Sequence, residues 1–130
     1  MKIQRILWQQ MLDHVSACLH EEACGILGGR GEIVEVVIPV ANELHSPDRF
    51  RMAPEEQLKA ILNLEKSDLE MIGIFHSHPK GPGEPSLVDL EEFAYPGVRL
   101  IILYPGGDEW AGRGFYIDQR SFIETKINIE

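Results

Sequence analysis

The sequence predicts a mixed α/β fold of the α+β kind, in which helices pack on a mixed sheet. Three observations predict it. Stretches with apolar residues at three- and four-residue steps alternate with short, nearly continuous apolar runs. "ACGILGGRGEIVEVVIPV" carries "GGRG" between two apolar halves and reads as a β-hairpin. "SFIETKINI", at the end of the chain, alternates Ile123, Thr125, Ile127 and Ile129, the period of a strand rather than a helix.

Each element follows in order. Leu7, Met11, Leu12, Val15, Cys18 and Leu19 form one apolar face and predict a helix over about 8–20. The hairpin follows, with Gly28, Gly29 and Gly31 read as turn residues. "NELHSPDRF" is a polar loop, and a short strand is expected near 50–52. "APEEQLKAILNLEKS" predicts a second helix, with Pro54 early and two acids in the first turn. Its expected core face is Leu58, Ile61, Leu62 and Leu64. "EMIGIFHSH" reads as a buried central strand. "SLVDLEEFA" is a short third helix stopped by "YPG", and "VRLIILY" is another buried strand. "GRGFYI" and "SFIETKINI" are the closing strands.

The 130 residues suit one domain, 1–130, with no internal repeat and no linker. A hydrophobic fraction of 44% and a charged fraction of 25% describe a globular chain with material for one core. No run approaches the ~20 apolar residues of a membrane span. The N-terminus lacks the apolar centre and cleavage site of a signal peptide, so a cytoplasmic location is expected. Cys18 and Cys24 make neither a disulfide framework nor a four-cysteine zinc site and read as small apolar residues. Net charge is −9, from 21 acids and 12 bases, and the bases are scattered. Nucleic acid and anionic membranes are therefore not expected partners.

The chemistry concentrates in "GIFHSHPKGPGEPSLVDL", residues 73–90. Side chains alternate along a strand, so His76 and His78 leave one face and Ser77 the other. Pro79 ends pairing, which places both imidazoles at a strand exit. The glycine- and proline-rich loop can turn the chain back and bring Asp89, in the first turn of the third helix, over that exit. Two imidazoles and a carboxylate suit a borderline-soft divalent ion, and three protein ligands leave zinc a fourth position, the catalytic pattern. Such a site also needs a proton shuttle. Glu21 and Glu22 stand where the first helix gives way to the hairpin. Glu22 shares strand parity with Cys24 and Ile26 and points inward, where burial raises a carboxyl pKa. "SLVD" has a second reading, a capping box in which Ser86 and Asp89 satisfy each other's backbone amides. Glu84, in the loop, is one further acid within reach.

"EACG", "HSHP" and "SLVD" together resemble the signature of the JAMM, or JAB1/MPN/Mov34, metalloprotease family, compact prokaryotic branch. That signature is a glutamate before a glycine-containing strand, then H-[ST]-H-P, six residues and S-x-x-D. The likeness extends through "VANELHSPDRFRMAPEEQLKAI". It implies an MPN domain, a curved mixed sheet flanked by helices and related to cytidine deaminases. It implies His76, His78 and Asp89 as ligands of one zinc ion, Glu22 as the residue that activates water, and Ser86 as an oxyanion donor. The implied reaction is hydrolysis of an amide or isopeptide bond after the diglycine tail of a ubiquitin-like or sulfur-carrier protein. A glycine tail has no Cβ to clash in a narrow cleft.

The closing strands leave little room for the second insertion with which deubiquitinases grip ubiquitin, so a small carrier tail or small amide, such as a carrier-bound cysteine, is expected. A homodimer is left open. A non-catalytic MPN scaffold and a non-haem iron oxygenase are the rival readings. Inactive relatives typically lose ligands and oxygenases sit on all-β folds, while the P-C-x-x-C of the zinc deaminases is absent here.

Overall fold

A computed structural model describes residues 1–130. In chain order the elements are β1 (Lys2–Ile3), α1 (Arg5–Ala17), β2 (Cys24–Arg30), β3 (Ile33–Val40), α2 (Pro54–Lys66), β4 (Glu70–Ser77), α3 (Leu87–Glu92), β5 (Arg99–Pro105), β6 (Trp110–Asp118), β7 (Ser121–Thr125) and β8 (Asn128–Ile129). One sheet of eight strands runs β7-β6-β5-β4-β2-β3-β1-β8. β4 and β5 are parallel, with α3 in their crossover, while β2 pairs antiparallel with both β3 and β4. The mixed sheet with helices is the architecture the sequence pattern implied. No helix is long and apolar enough to cross a membrane.

The sheet curls. β7 and β8 stand at opposite ends of the strand order, yet only Lys126 and Ile127 join them. Three extended steps span at most about 11 Å, so the two ends must approach each other. The Asn128 N–H donates to the Met1 carbonyl at 2.9 Å, and the amino group of Met1 donates to the Lys126 carbonyl at 3.2 Å. The single closing strand expected over 121–129 is thus two short ones.

Both faces of the sheet are covered, which is why β4 and β5 read as continuous apolar runs. One face packs Leu27, Phe75, Ile101 and Leu103 under Trp8, Met11 and Val15 of α1. The other packs Cys24, Ile26, Ile74, Leu100, Ile102 and Phe115 under Ala60 and Leu64 of α2. His76 follows the parity of Ile74 and belongs to this second face.

Several sequence expectations are corrected. Helix α1 begins at Arg5 and ends at Ala17, so Leu19 lies outside it and is exposed, while Trp8 joins the core. The face of α2 toward the sheet is Gln57, Ala60, Ile61 and Leu64; Leu58 and Leu62 lie roughly 110–150° around the helix from its centre and are exposed. Gly28 and Gly29 are inside β2, not in the turn. A Cβ on Gly28 would stand 2.3 Å from a methyl of Leu64, so this glycine admits α2 to the sheet. Gly31, at φ 58°, is the turn residue. No strand forms at 50–52, where a single bridge pairs Asn42 with Met52.

Candidate metal centre

His76 lies near the end of β4, paired with Cys24 on one side and Ile102 on the other. Ser77 points to the opposite face, where its Oγ accepts from the Ala23 N–H at 2.9 Å. The His78 N–H donates to the Leu103 carbonyl at 2.8 Å, so strand geometry persists one residue past β4 and both imidazoles share a face. The loop that begins at Pro79 returns its Pro82 carbonyl to His78 Nδ1 at 2.7 Å. A carbonyl only accepts, so Nδ1 carries the proton and Nε2 turns into the site with its lone pair.

Ser86 caps α3. Its Oγ accepts from the Asp89 N–H at 3.0 Å, and Asp89 Oδ2 accepts from the Ser86 N–H at 2.9 Å. The capping box is therefore present. The same Oδ2 lies 3.2 Å from both His76 Nε2 and His78 Nε2, which are 2.9 Å apart. Local capping and the site are two uses of one carboxylate, which the cap orients.

Glu22 enters from the connection between α1 and β2. Its Oε1 is 3.9 Å from His76 Nε2 and its Oε2 is 3.8 Å from His78 Nε2. Oε1 has no hydrogen-bond partner. The exposures are 4% for Glu22, 0% for His76, 5% for His78 and 7% for Asp89, so the cluster is shielded from bulk solvent. Glu21 instead faces His45, at 2.9 Å, and Glu84 stands 3.7 Å from Arg113, away from the cluster.

Electrostatics separate the two carboxyls. Burial pushes Glu22 up to about 8, helped by the charge of Asp89 and opposed by His78. Burial also pushes Asp89 up, but the imidazoles of His76 and His78 beside Oδ2, and the hydrogen bond from the Ser86 amide, outweigh it and hold this carboxyl well below the ordinary range. Burial lowers His76. It also lowers His78, where Asp89, the Pro82 carbonyl and Glu22 prevail and raise it. Asp89 is built to stay anionic, and Glu22 to hold a proton until a cation arrives.

The donor set fits zinc. Tetrahedral zinc with bonds of 2.0–2.1 Å puts neighbouring donor atoms about 3.3 Å apart. The triangle of two Nε2 atoms and Oδ2 has edges of 2.9, 3.2 and 3.2 Å. With Glu22, the four donor atoms all lie within 4.8 Å of one another and suit one metal ion. The longer distances to Glu22 leave it beside the triangle, within range of a solvent molecule there. Sequence reasoning did not find Phe50, whose ring stacks on His76 with centroids 4.5 Å apart and planes 24° apart. A half-buried aromatic in a polar loop carries no periodic signal.

A curled mixed sheet, with two histidines from the end of a central strand, an aspartate from the following helix and a glutamate from the connection leading into the hairpin, defines a metal-centre protein of the JAB1/MPN class. The model of prokaryotic homologs of the JAB domain matches residues 4–116, and the chain belongs to that family. It is 45% identical over 111 residues to a desampylase of Pyrococcus furiosus, covering 84% of this chain and 76% of that protein. It is 38% identical over 119 residues to a probable TtuB-protein conjugate cleaving protease of Thermus thermophilus, covering 84% and 79%. The solution structure of a Desulfitobacterium hafniense protein superposes with a TM-score of 0.90 at 33% identity, over 100% of this chain and 93% of that one.

Proposed function

We propose that the chain is a single-domain, zinc-dependent hydrolase, working in the cytoplasm, that cleaves an amide or isopeptide bond after the C-terminal diglycine of a ubiquitin-like or sulfur-carrier protein. The observation that carries this reading is the buried convergence of His76, His78 and Asp89, with Glu22 one solvent layer away. The relatives named for desampylation and for cleavage of TtuB conjugates give the substrate class. A net charge of −9 keeps nucleic acid and anionic membranes outside the proposal.

In this reading His76, His78 and Asp89 hold the ion. When bound, zinc lowers the pKa of coordinated water to about 7 and polarises the scissile carbonyl. Glu22 takes the proton of the attacking water and delivers it to the departing amine nitrogen, so the products are a carrier carboxylate and a free amine. Burial raises Glu22 in the metal-free protein, and the charge of a bound cation would lower it from there toward the range that task needs. Ser86 Oγ accepts from the Asp89 amide, which leaves its own hydrogen free to donate to the carbonyl oxygen as charge develops there.

The test is incubation of the zinc-loaded protein with ubiquitin-like and sulfur-carrier proteins, fused, lysine-conjugated or extended by one cysteine at the diglycine, read by intact mass. The expected product is the carrier ending in its diglycine carboxylate, lost with a chelator and restored by zinc. Cleavage that ignores the chelator, or none in any arm, contradicts the reading.

A further inference from the structure

The polar loop between β3 and α2, residues 41–53, is bound to the metal centre at two points. Asn42 is 1% exposed and has all four of its side-chain hydrogen bonds. Its Nδ2 donates to the Glu22 carbonyl and to the Arg49 carbonyl, both at 3.0 Å. Its Oδ1 accepts from the Leu44 N–H at 3.1 Å and from the Arg51 N–H at 3.0 Å. The Glu22 N–H donates in turn to the Ser46 carbonyl at 2.8 Å. Both backbone polar groups of Glu22 are thereby held by this one loop. Between the two arginines that Asn42 fixes stands Phe50, the residue stacked on His76.

That stacking has a specific consequence. His78 is oriented by the Pro82 carbonyl, but His76 Nδ1 is buried without a partner. A buried ligand-type imidazole ordinarily takes its orientation from a hydrogen bond at its second nitrogen. For His76 no such bond exists, and the face of Phe50 sets the ring plane instead.

We propose that Asn42 is a positioning residue: its buried carboxamide fixes Glu22 directly and His76 through Phe50, keeping the proton-transfer group and one imidazole in register. The assignment of roles to Glu22 and His76 rests on the hydrolase reading above; the mechanical link does not. Loss of the link displaces Glu22 without removing any donor atom, and misplacement of a reacting group by about 1 Å costs about 10²-fold in rate.

The test uses Asn42→Ala and Asn42→Asp, the latter keeping shape and acceptor oxygens but losing both donated bonds. Amide hydrogen exchange on the metal-free protein is expected to speed up at Glu22 while β4 and β5 stay protected. With zinc bound, kcat is expected to fall about 10²-fold with KM little changed. In the cobalt-substituted protein Phe50→Leu is expected to shift the visible absorption bands, and Phe50→Tyr to restore them. Unchanged exchange at Glu22 in a folded Asn42 variant, or kcat within about twofold of wild type, overturns the proposal. Wild-type cobalt bands in Phe50→Leu overturn its His76 arm. Should Asn42→Ala not fold, Asn42→Asp carries the same measurements. If wild-type zinc protein cleaves no carrier, the hydrolase reading fails, and the exchange and cobalt measurements decide the positional link.

Discussion

Glu22→Gln is expected to keep its zinc and lose about 10³-fold in hydrolysis, within the range for removal of a positioned general acid–base. The amide has the size of the carboxylate it replaces but cannot take a proton from water. Zinc is retained because both oxygens of Glu22 stand 3.8–3.9 Å from the histidine nitrogens, outside the tighter triangle that includes Asp89. The check is single-turnover cleavage alongside metal analysis of the same sample; unchanged turnover removes Glu22 from proton transfer.

The same variant has a signature without metal. Burial raises the folded-state pKa of Glu22 from 4.5 to about 8, so the folded chain keeps a proton that the unfolded chain loses. Below pH 4.5 both states carry the proton and the difference in pKa contributes nothing. Between there and pH 8 the wild type loses stability as pH rises, by linkage about 5 kcal/mol at most. Glutamine does not titrate. Denaturant titrations of metal-free protein should therefore show Glu22→Gln gaining on wild type from pH 5 to 8.

His78→Ala is the second large effect, and it falls on the ion itself. Structural zinc in zinc-finger peptides binds with about 10–16 kcal/mol, and on that scale losing one of a few ligands costs about 3–5 kcal/mol, or about 10²–10⁴-fold in affinity. His78 is the better anchored imidazole, tied through Nδ1 to the Pro82 carbonyl and through its backbone N–H to β5. Its loss also removes one of the two ring nitrogens that stand 3.2 Å from the buried Asp89 Oδ2. Competition against a chromophoric chelator measures the change. Zinc held as tightly as in wild type would show that His78 is not a ligand.

The histidine pair was legible because a strand has a period of two, and parity alone puts His76 and His78 on one face. Parity also favoured Glu22 over Glu21, since Cys24 and Ile26 continue the same face into the core. Asp89 was ambiguous for a physical reason. The capping pattern and the ligand pattern ask for the same carboxylate, and both are present around one Oδ2. The glycines of β2 misled because a glycine for close approach and a glycine for a turn look alike in a sequence; only the position of Leu64 tells them apart. The face of α2 was misread in part for a related reason: the close approach favours the small Ala60, which with Leu64 turns toward the sheet and leaves Leu58 and Leu62 exposed. Asn42 and Phe50 were out of reach. Their partners are Glu22, Arg49, Arg51 and His76, contacts of an irregular loop through space with no repeat along the chain.

Zinc-edge X-ray absorption on wild-type protein loaded with one equivalent of zinc tests the central claim most directly. The geometry predicts a sulfur-free shell of nitrogen and oxygen at about 2.0–2.1 Å, with the outer-shell scattering of two imidazoles. A sulfur shell at about 2.3 Å, or zinc that washes away, would mean that His76, His78 and Asp89 do not share an ion.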